Sequence, residues 1–375
     1  MPVVWSDRCL LHEPEAEIWV GVRTPATEVP GRITAIHDAL DARVVDADPH
    51  PDDALLRVHD PELPAYLASA WDEWEAAGLP KDPGQNRVVP YVFAHAALGA
   101  RRAPAAVWAR PGHFAYDTMT LVGPGTWEAA RAAVDCALTA VDLVVAGEPL
   151  AYACTRPPGH HAARACYGGS CYLNNAAVAA AALVAGLEGP VAVLDVDAHH
   201  GNGTQEIFYE RPDVLVGSVH VDPGAGWFPH FLGFADETGD GTNRNLPLPP
   251  GTGDEPWLAA VAELADWAKG LAGLVVALGV DAAAGDPESP LEVSERAFRS
   301  AGALLGGLGL PTVVVQEGGY DPAAEQIDLA GEQQVPHRMI FGRERIPVLR
   351  DDIVSPAPPC RQSRWGGEPL SGAEW

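Results

Sequence analysis

Asp197 and His199 stand two residues apart in DVDAHHGN, and on extended chain such residues leave the same face, so both can bite one ion. Asp281 in LGVDAAAGDP, at the end of another apolar run, offers a third ligand. Two carboxylates and one imidazole suit a borderline metal such as zinc, and three protein ligands leave the open position that catalysis needs. A lone Asp after a strand is more often a helix cap or a solvated turn, so it is the convergence of these groups that points to a metal. Asp195 shares the face of Asp197 in a very apolar run, where an unpaired carboxylate is costly, and a histidine is its natural partner. His160-His161 in RPPGHHA follows two prolines and a glycine. A neutral imidazole poised near pH 7 can take a proton from an activated water and return it to a leaving amine; two satisfied turn histidines are the bland alternative. Tyr320, after Glu317-Gly318-Gly319, can swing a phenol over such a metal and donate to an oxyanion, although a Gly-Gly-Tyr turn by itself is usually only a turn. No Gly-x-Ser-x-Gly, His-Glu-x-x-His, phosphate loop or full Gly-x-Gly-x-x-Gly occurs, which withdraws support from serine-hydrolase, zincin and nucleotide-driven chemistry.

Groups collected in this way need strand ends to carry them, because ligands of an open parallel sheet bind beyond its carboxyl edge. The pattern predicts a long helix over 126–147, a strand over 150–155, a helix over 174–187 and a strand over 189–197. A short helix near Gly203 to Tyr209, a strand over 213–221 and a Gly/Pro-rich connection from Asp222 to Gly253 follow. A helix from Pro256 to Lys269, a strand over 273–281, a helix from Leu291 to Leu305 and a strand over 311–316 complete the run. Near-continuous apolar strands suit a parallel sheet covered by helices on both faces, so the expectation is a single α/β domain over residues 1–320. Residues 78–116, rich in Pro, Gly and Arg, read as a long surface excursion, and Asp321 to Trp375 as a tail without an amphipathic helix.

Composition bounds the partners. The 375 residues carry 24 Lys plus Arg against 51 Asp plus Glu, a net charge of −27, which repels nucleic acid and anionic membranes and attracts cations. Apolar stretches stay far below the ~18 residues needed to span a bilayer, and the N-terminal MPVVWSDRCLLHEPE has none of the marks of a secretory leader, so the expected place is the cytoplasm. Six cysteines without a Cys-x-x-Cys pair read as reduced, mostly buried thiols.

RPPGHHA, GGSCYLNNAAVAA, DVDAHHGNGTQ, ADETG, LGVDAAAGDP and QEGGY, in this order, resemble the zinc-dependent histone deacetylase family, and within it the bacterial acetylpolyamine amidohydrolases. The similarity runs from SDRCLLHEP and EVPGRITAI to Tyr320. It implies an arginase/deacetylase-like three-layer fold, with a central mostly parallel sheet and helices on both faces. It also implies one zinc ion held by Asp197, His199 and Asp281, and hydrolysis of an N-acetylated amine, either an acetylpolyamine or an acetyl-lysine. By the same resemblance His161 acts as base and then acid, His160 helps electrostatically, and Tyr320 stabilises the oxyanion. Asp195 would pair with His160 and Asn202 with His161. Asn202 is neutral where some relatives have Asp, so His161 should be less readily protonated. Gly169 and Phe228 fall at the family's acyl tunnel, Asp117 at a substrate-gripping rim, and a structural potassium ion near Asp195, Asp197, His199 and Ser218. The related two-manganese ureohydrolases place acids where this chain has Gly201 and Ala283, which speaks for a single metal.

Three departures qualify the resemblance. Ser170 stands where many relatives put an aromatic tunnel wall. The excursion from Pro83 to Tyr116, where polyamine-type members carry a dimer-forming loop, contains no acid but has Arg87, Arg101, Arg102 and Arg110, so an acidic collar cannot come from it. Its PYVFAHAAL segment either forms a homodimer interface or packs on its own domain. The family's closing helix after Tyr320 is missing. Ser170 and the C-terminal segment motivate a rival expectation, a metal-binding protein that binds acylated amines with little turnover.

Overall fold

In the computed structural model, residues 1–320 are described apart from positions 41, 82, 83, 100 and 101. The strands are β1 (Pro2–Trp5), β2 (Glu17–Trp19), β3 (Val22–Thr24), β4 (Arg43–Asp46), β5 (Leu150–Ala153), β6 (Val191–Asp195), β7 (Val214–Val221), β8 (Asn243–Leu248), β9 (Gly273–Leu278) and β10 (Thr312–Gln316). Along β6, Val191 and Val193 enter one core while Ala192 and Leu194 enter another. Val275 and Ala277 of β9 oppose Leu274 and Val276 in the same way. Side chains alternate with period two, so a strand that reads as apolar throughout must be covered on both faces.

The covering helices are α1 (Pro30–Ala39), α2 (Glu62–Ala76), α3 (Pro111–Phe114), α4 (Thr126–Val145), α5 (Asn175–Leu187), α6 (Asn202–Phe208), α7 (Asp254–Trp267) and α8 (Glu295–Gly306). α2, α4 and α5 fill one core, and α1, α7 and α8 the other, which gives three layers. Their starts are chemically marked: Asn174 Oδ1 accepts from Ala177 N at 2.8 Å, and Ser294 Oγ from Ala297 N at 3.4 Å.

Eight strands form one sheet in the order β4-β1-β5-β10-β9-β6-β7-β8, and every pairing in it is parallel. β5, β10, β9 and β6 are therefore consecutive neighbours, and the four motif-bearing segments leave one continuous carboxyl edge. β2 and β3 form a separate antiparallel hairpin.

Several elements differ from the sequence expectations. β8 lies inside the supposed 222–253 connection. It is an edge strand paired only with β7, where Pro247 is tolerated and buried Asn243 and Asn245 replace the usual apolar signal. The N-terminal β1, β4, α1 and α2 carried no periodic run long enough to read. The helix expected from Leu291 begins at Glu295, after the Ser294 cap, and that expected from Pro256 begins at Asp254. Among its described residues the 78–116 excursion is irregular as expected, apart from a 3₁₀ turn (Ala96–Leu98) and α3. Its PYVFAHAAL segment does not pack inward: Tyr91 is 71% and Leu98 81% exposed. The expected tail, Asp321 to Trp375, lies outside the described residues. Among those described, Cys9, Cys136, Cys154, Cys166 and Cys171 are free thiols, and no helix is long and apolar enough to cross a membrane.

Candidate active site

Asp197 and His199 leave the end of β6 and Asp281 the end of β9, and the three present ligating atoms within 4.8 Å of one another. His199 Nδ1 lies 3.0 Å from Asp281 Oδ2 and 3.4 Å from Asp197 Oδ1. The other ring nitrogen, Nε2, is 3.1 Å from the Glu288 carbonyl, which can only accept. That contact puts a proton on Nε2 and leaves Nδ1 facing two carboxylates, an arrangement that a cation between them satisfies. Burial alone would lower the His199 pKa, yet Asp197 and Asp281 hold it well above its usual range; the site asks for positive charge. The outer carboxylate oxygens are spent on orientation, since Gly318 N donates to Asp197 Oδ2 at 2.7 Å and Ala198 N to Asp281 Oδ1 at 2.8 Å. Glycine is required here for space: a Cβ on Gly318 would sit 2.5 Å from both Asp197 Oδ2 and Asp281 Oδ2, and one on Gly279 2.1 Å from Asp197 Oδ2. These residues fit one borderline divalent cation with an open position.

The tandem histidines follow β5. His160 Nδ1 meets Asp195 Oδ2 at 2.9 Å and His161 Nδ1 meets Asn202 Oδ1 at 2.7 Å, the two partnerships expected. Burial disfavours charge on both rings. At His160, Asp195 and Asp197 outweigh burial and lift the pKa to about 10. At His161, burial together with His160 and His199 holds it well below its usual range. The surroundings thus favour charge on one ring and disfavour it on its neighbour, which is left as the neutral imidazole. Tyr320, after β10, is fixed at its backbone by Asp286 Oδ2 at 2.8 Å, and the Arg32 guanidinium lies 4.8 Å from its ring centre. Arg32 also donates to the Gly319 and Glu317 carbonyls. Glu28 holds Arg32 and Arg156 together, each nitrogen 2.9 Å from its Oε1. Asp195 and Ser218 are register partners on β6 and β7, so two residues named for a potassium ion adjoin.

The histone deacetylase domain family matches residues 26–330. The chain belongs to this family. It is a deacetylase by kind, 38% identical to the acetylpolyamine amidohydrolase of Mycoplana ramosa over 330 residues, covering 85% of this chain and 95% of that one. An equal 38% identity links it to acetylpolyamine amidohydrolase 1 of Pseudomonas aeruginosa, covering 84% and 93%. The crystal structure of the Burkholderia pseudomallei acetylpolyamine aminohydrolase superposes with a TM-score of 0.81 at 37% identity, covering 87% of this chain and 96% of the other. The arginase/deacetylase-like fold is thereby established.

Phe228 and Gly169 adjoin the His161 ring. Phe228 meets His161 edge-on with ring centres 4.8 Å apart. A Cβ on Gly169 (φ +59°) would fall 2.5 Å from the His161 ring and 2.9 Å from Phe228, so Gly169 packs directly on both. Asp117 has a prior occupation: its oxygens accept from Met119 N, Thr120 N, Thr120 Oγ1 and Gly169 N, so it clamps the turn that presents Gly169. Motif reading missed Tyr116, whose hydroxyl donates to the His161 carbonyl at 3.1 Å and whose ring stacks toward Phe228. It also missed Glu17 and Glu288. Burial, with Glu288 and Asp117 adding like charge, pushes Glu17 up to about 8. Glu17 on the β2–β3 hairpin, Glu288 in the 286–288 turn and Asp117 thus stand within electrostatic reach of one another, outside the 78–116 excursion.

Proposed function

We propose that this deacetylase hydrolyses an N-acetylated amine carrying a further positive charge, of the acetylpolyamine kind, to acetate and the free amine. The observation that carries the reading is the unequal histidine pair beside Asp197, His199 and Asp281. Those three residues would hold zinc, which when bound polarises the amide carbonyl and lowers the pKa of a water. His161 Nε2 takes the proton of the attacking water and returns it to the departing amine. His160, its proton fixed on Nδ1 by Asp195, adds positive charge where negative charge grows, and the Tyr320 hydroxyl donates to the carbonyl oxygen. Phe228 and Gly169 flank the acyl chain, with Ser170 leaving one wall small. Glu288, and Glu17 once a nearby ammonium draws off its proton, favour a cation there.

A single metal is supported by Gly201, where a Cβ would lie 2.2 Å from Asp195 Oδ2, leaving no room for a second-metal carboxylate. The family reading would also place a potassium ion beside Asp195 and Ser218, and a second copy of the chain against the exposed 91–98 segment. Turnover of acetylputrescine, acetylspermidine and an acetyl-lysine peptide, measured side by side, tests the substrate class. The polyamines should give the higher kcat/KM. Preference for the peptide would overturn the cationic small-amine reading, and tight binding without acetate release would establish the rival, a binder of acylated amines.

A further inference from the structure

A second set of ligating atoms meets beside the reaction centre. His160, Cys171 and Glu317 each present one such atom within 4.8 Å of the others, and all three are buried. Three separate segments deliver them: His160 follows β5, Glu317 follows β10, and Cys171 closes a tight turn on Gly168. Glu317 Oε2 accepts from the Gly159 and His160 amides at 2.6 and 3.1 Å, while its Oε1 is buried with no donor. A bare buried carboxylate oxygen is costly unless something positive or protic meets it. His160 Nδ1 is committed to Asp195, which leaves Nε2 as its ligating atom, 3.8 Å from Asp197 Oδ1. A sulfur, an imidazole and a carboxylate suit zinc or a softer relative such as cadmium and do not suit magnesium or calcium, which want oxygen alone.

We propose that His160, Cys171 and Glu317 form a second metal site, taking a zinc- or cadmium-like ion when metal exceeds the need of the first, and that filling it inhibits the enzyme. Binding forms bonds from the ion to Cys171 Sγ and His160 Nε2 and releases the thiol proton and the Nε2 proton of the His160 imidazolium to solvent, with no change in oxidation state. Occupancy withdraws His160 Nε2 from the reaction centre, so turnover falls. The inhibitory effect rests on the deacetylase reading proposed above; the binding itself does not.

Cobalt(II) added to metal-free, full-length protein separates the two claims. The first equivalent should give only weak visible bands, because Asp197, His199 and Asp281 include no sulfur. The second should add intense near-ultraviolet sulfur-to-cobalt absorption, absent from Cys171→Ala, and Glu317→Gln should weaken the second ion's binding about 10-fold or more, as loss of a metal-site partner does. A second equivalent without that absorption, or absorption that survives Cys171→Ala, overturns the site. In parallel, excess cadmium should suppress acetate release by the zinc-loaded wild type while Cys171→Ala keeps most of its own rate. Equal inhibition of both overturns the inhibitory role. Circular dichroism of each variant confirms that the fold compared is the same.

Discussion

What holds each Nδ1 atom makes the two active-site histidines different. Asp195 gives His160 an anionic partner, whereas Asn202 gives His161 a neutral one. Asn202→Asp should therefore raise the His161 pKa. Because the base works only when neutral, the acid limb of the kcat/KM profile should move to higher pH; a limb that stays put or moves down would remove His161 as the base. Tyr320→Phe deletes the oxyanion donor and should lower kcat about 100- to 1,000-fold with bound metal unchanged by elemental analysis. Unaltered turnover of the variant would remove Tyr320 from the mechanism. Asp197, His199, Asp281, the histidine pair and Tyr320 were legible because each sits at a fixed offset from an apolar run. Glu17, Tyr116 and Glu288 were not, since they meet the site only through the tertiary approach of segments far apart in the chain.

The strands and helices after residue 124, β8 apart, were readable because both faces of the sheet are buried, which makes apolar runs long and their ends sharp. The N-terminal hairpin was not, for β2 and β3 are three residues each and partly exposed, yet β2 brings Glu17 within reach of Glu288 and Asp117. Its pKa of about 8 stands above the ~4.3 of a solvated glutamate. Between those values the folded state keeps a proton that the unfolded state has lost, so this group subtracts from stability as pH rises through the window. Glu17→Gln should flatten that decline in Tm. Measured above pH 8, where Glu17 is ionised, it should also raise KM for acetylspermidine and leave a neutral N-acetyl amine unaffected; equal changes for both substrates would separate Glu17 from cation recognition.

For the molecule as a whole, the charge of −27 gains a local meaning from the rim carboxylates, while the 78–116 excursion stays basic and exposes Tyr91, Leu98 and Trp108. Such a surface suits a second copy of the chain. Sedimentation should show a dimer that Leu98→Asp converts to folded monomer, and a monomeric wild type would refute assembly through this loop. Acetate release by purified protein tests the central claim most directly. Chelated protein should be silent, one zinc equivalent per chain should restore release of acetate from acetylspermidine, and His161→Ala reloaded in the same way should not recover it. Reloaded wild-type protein that binds acetylspermidine but frees no acetate would contradict the account.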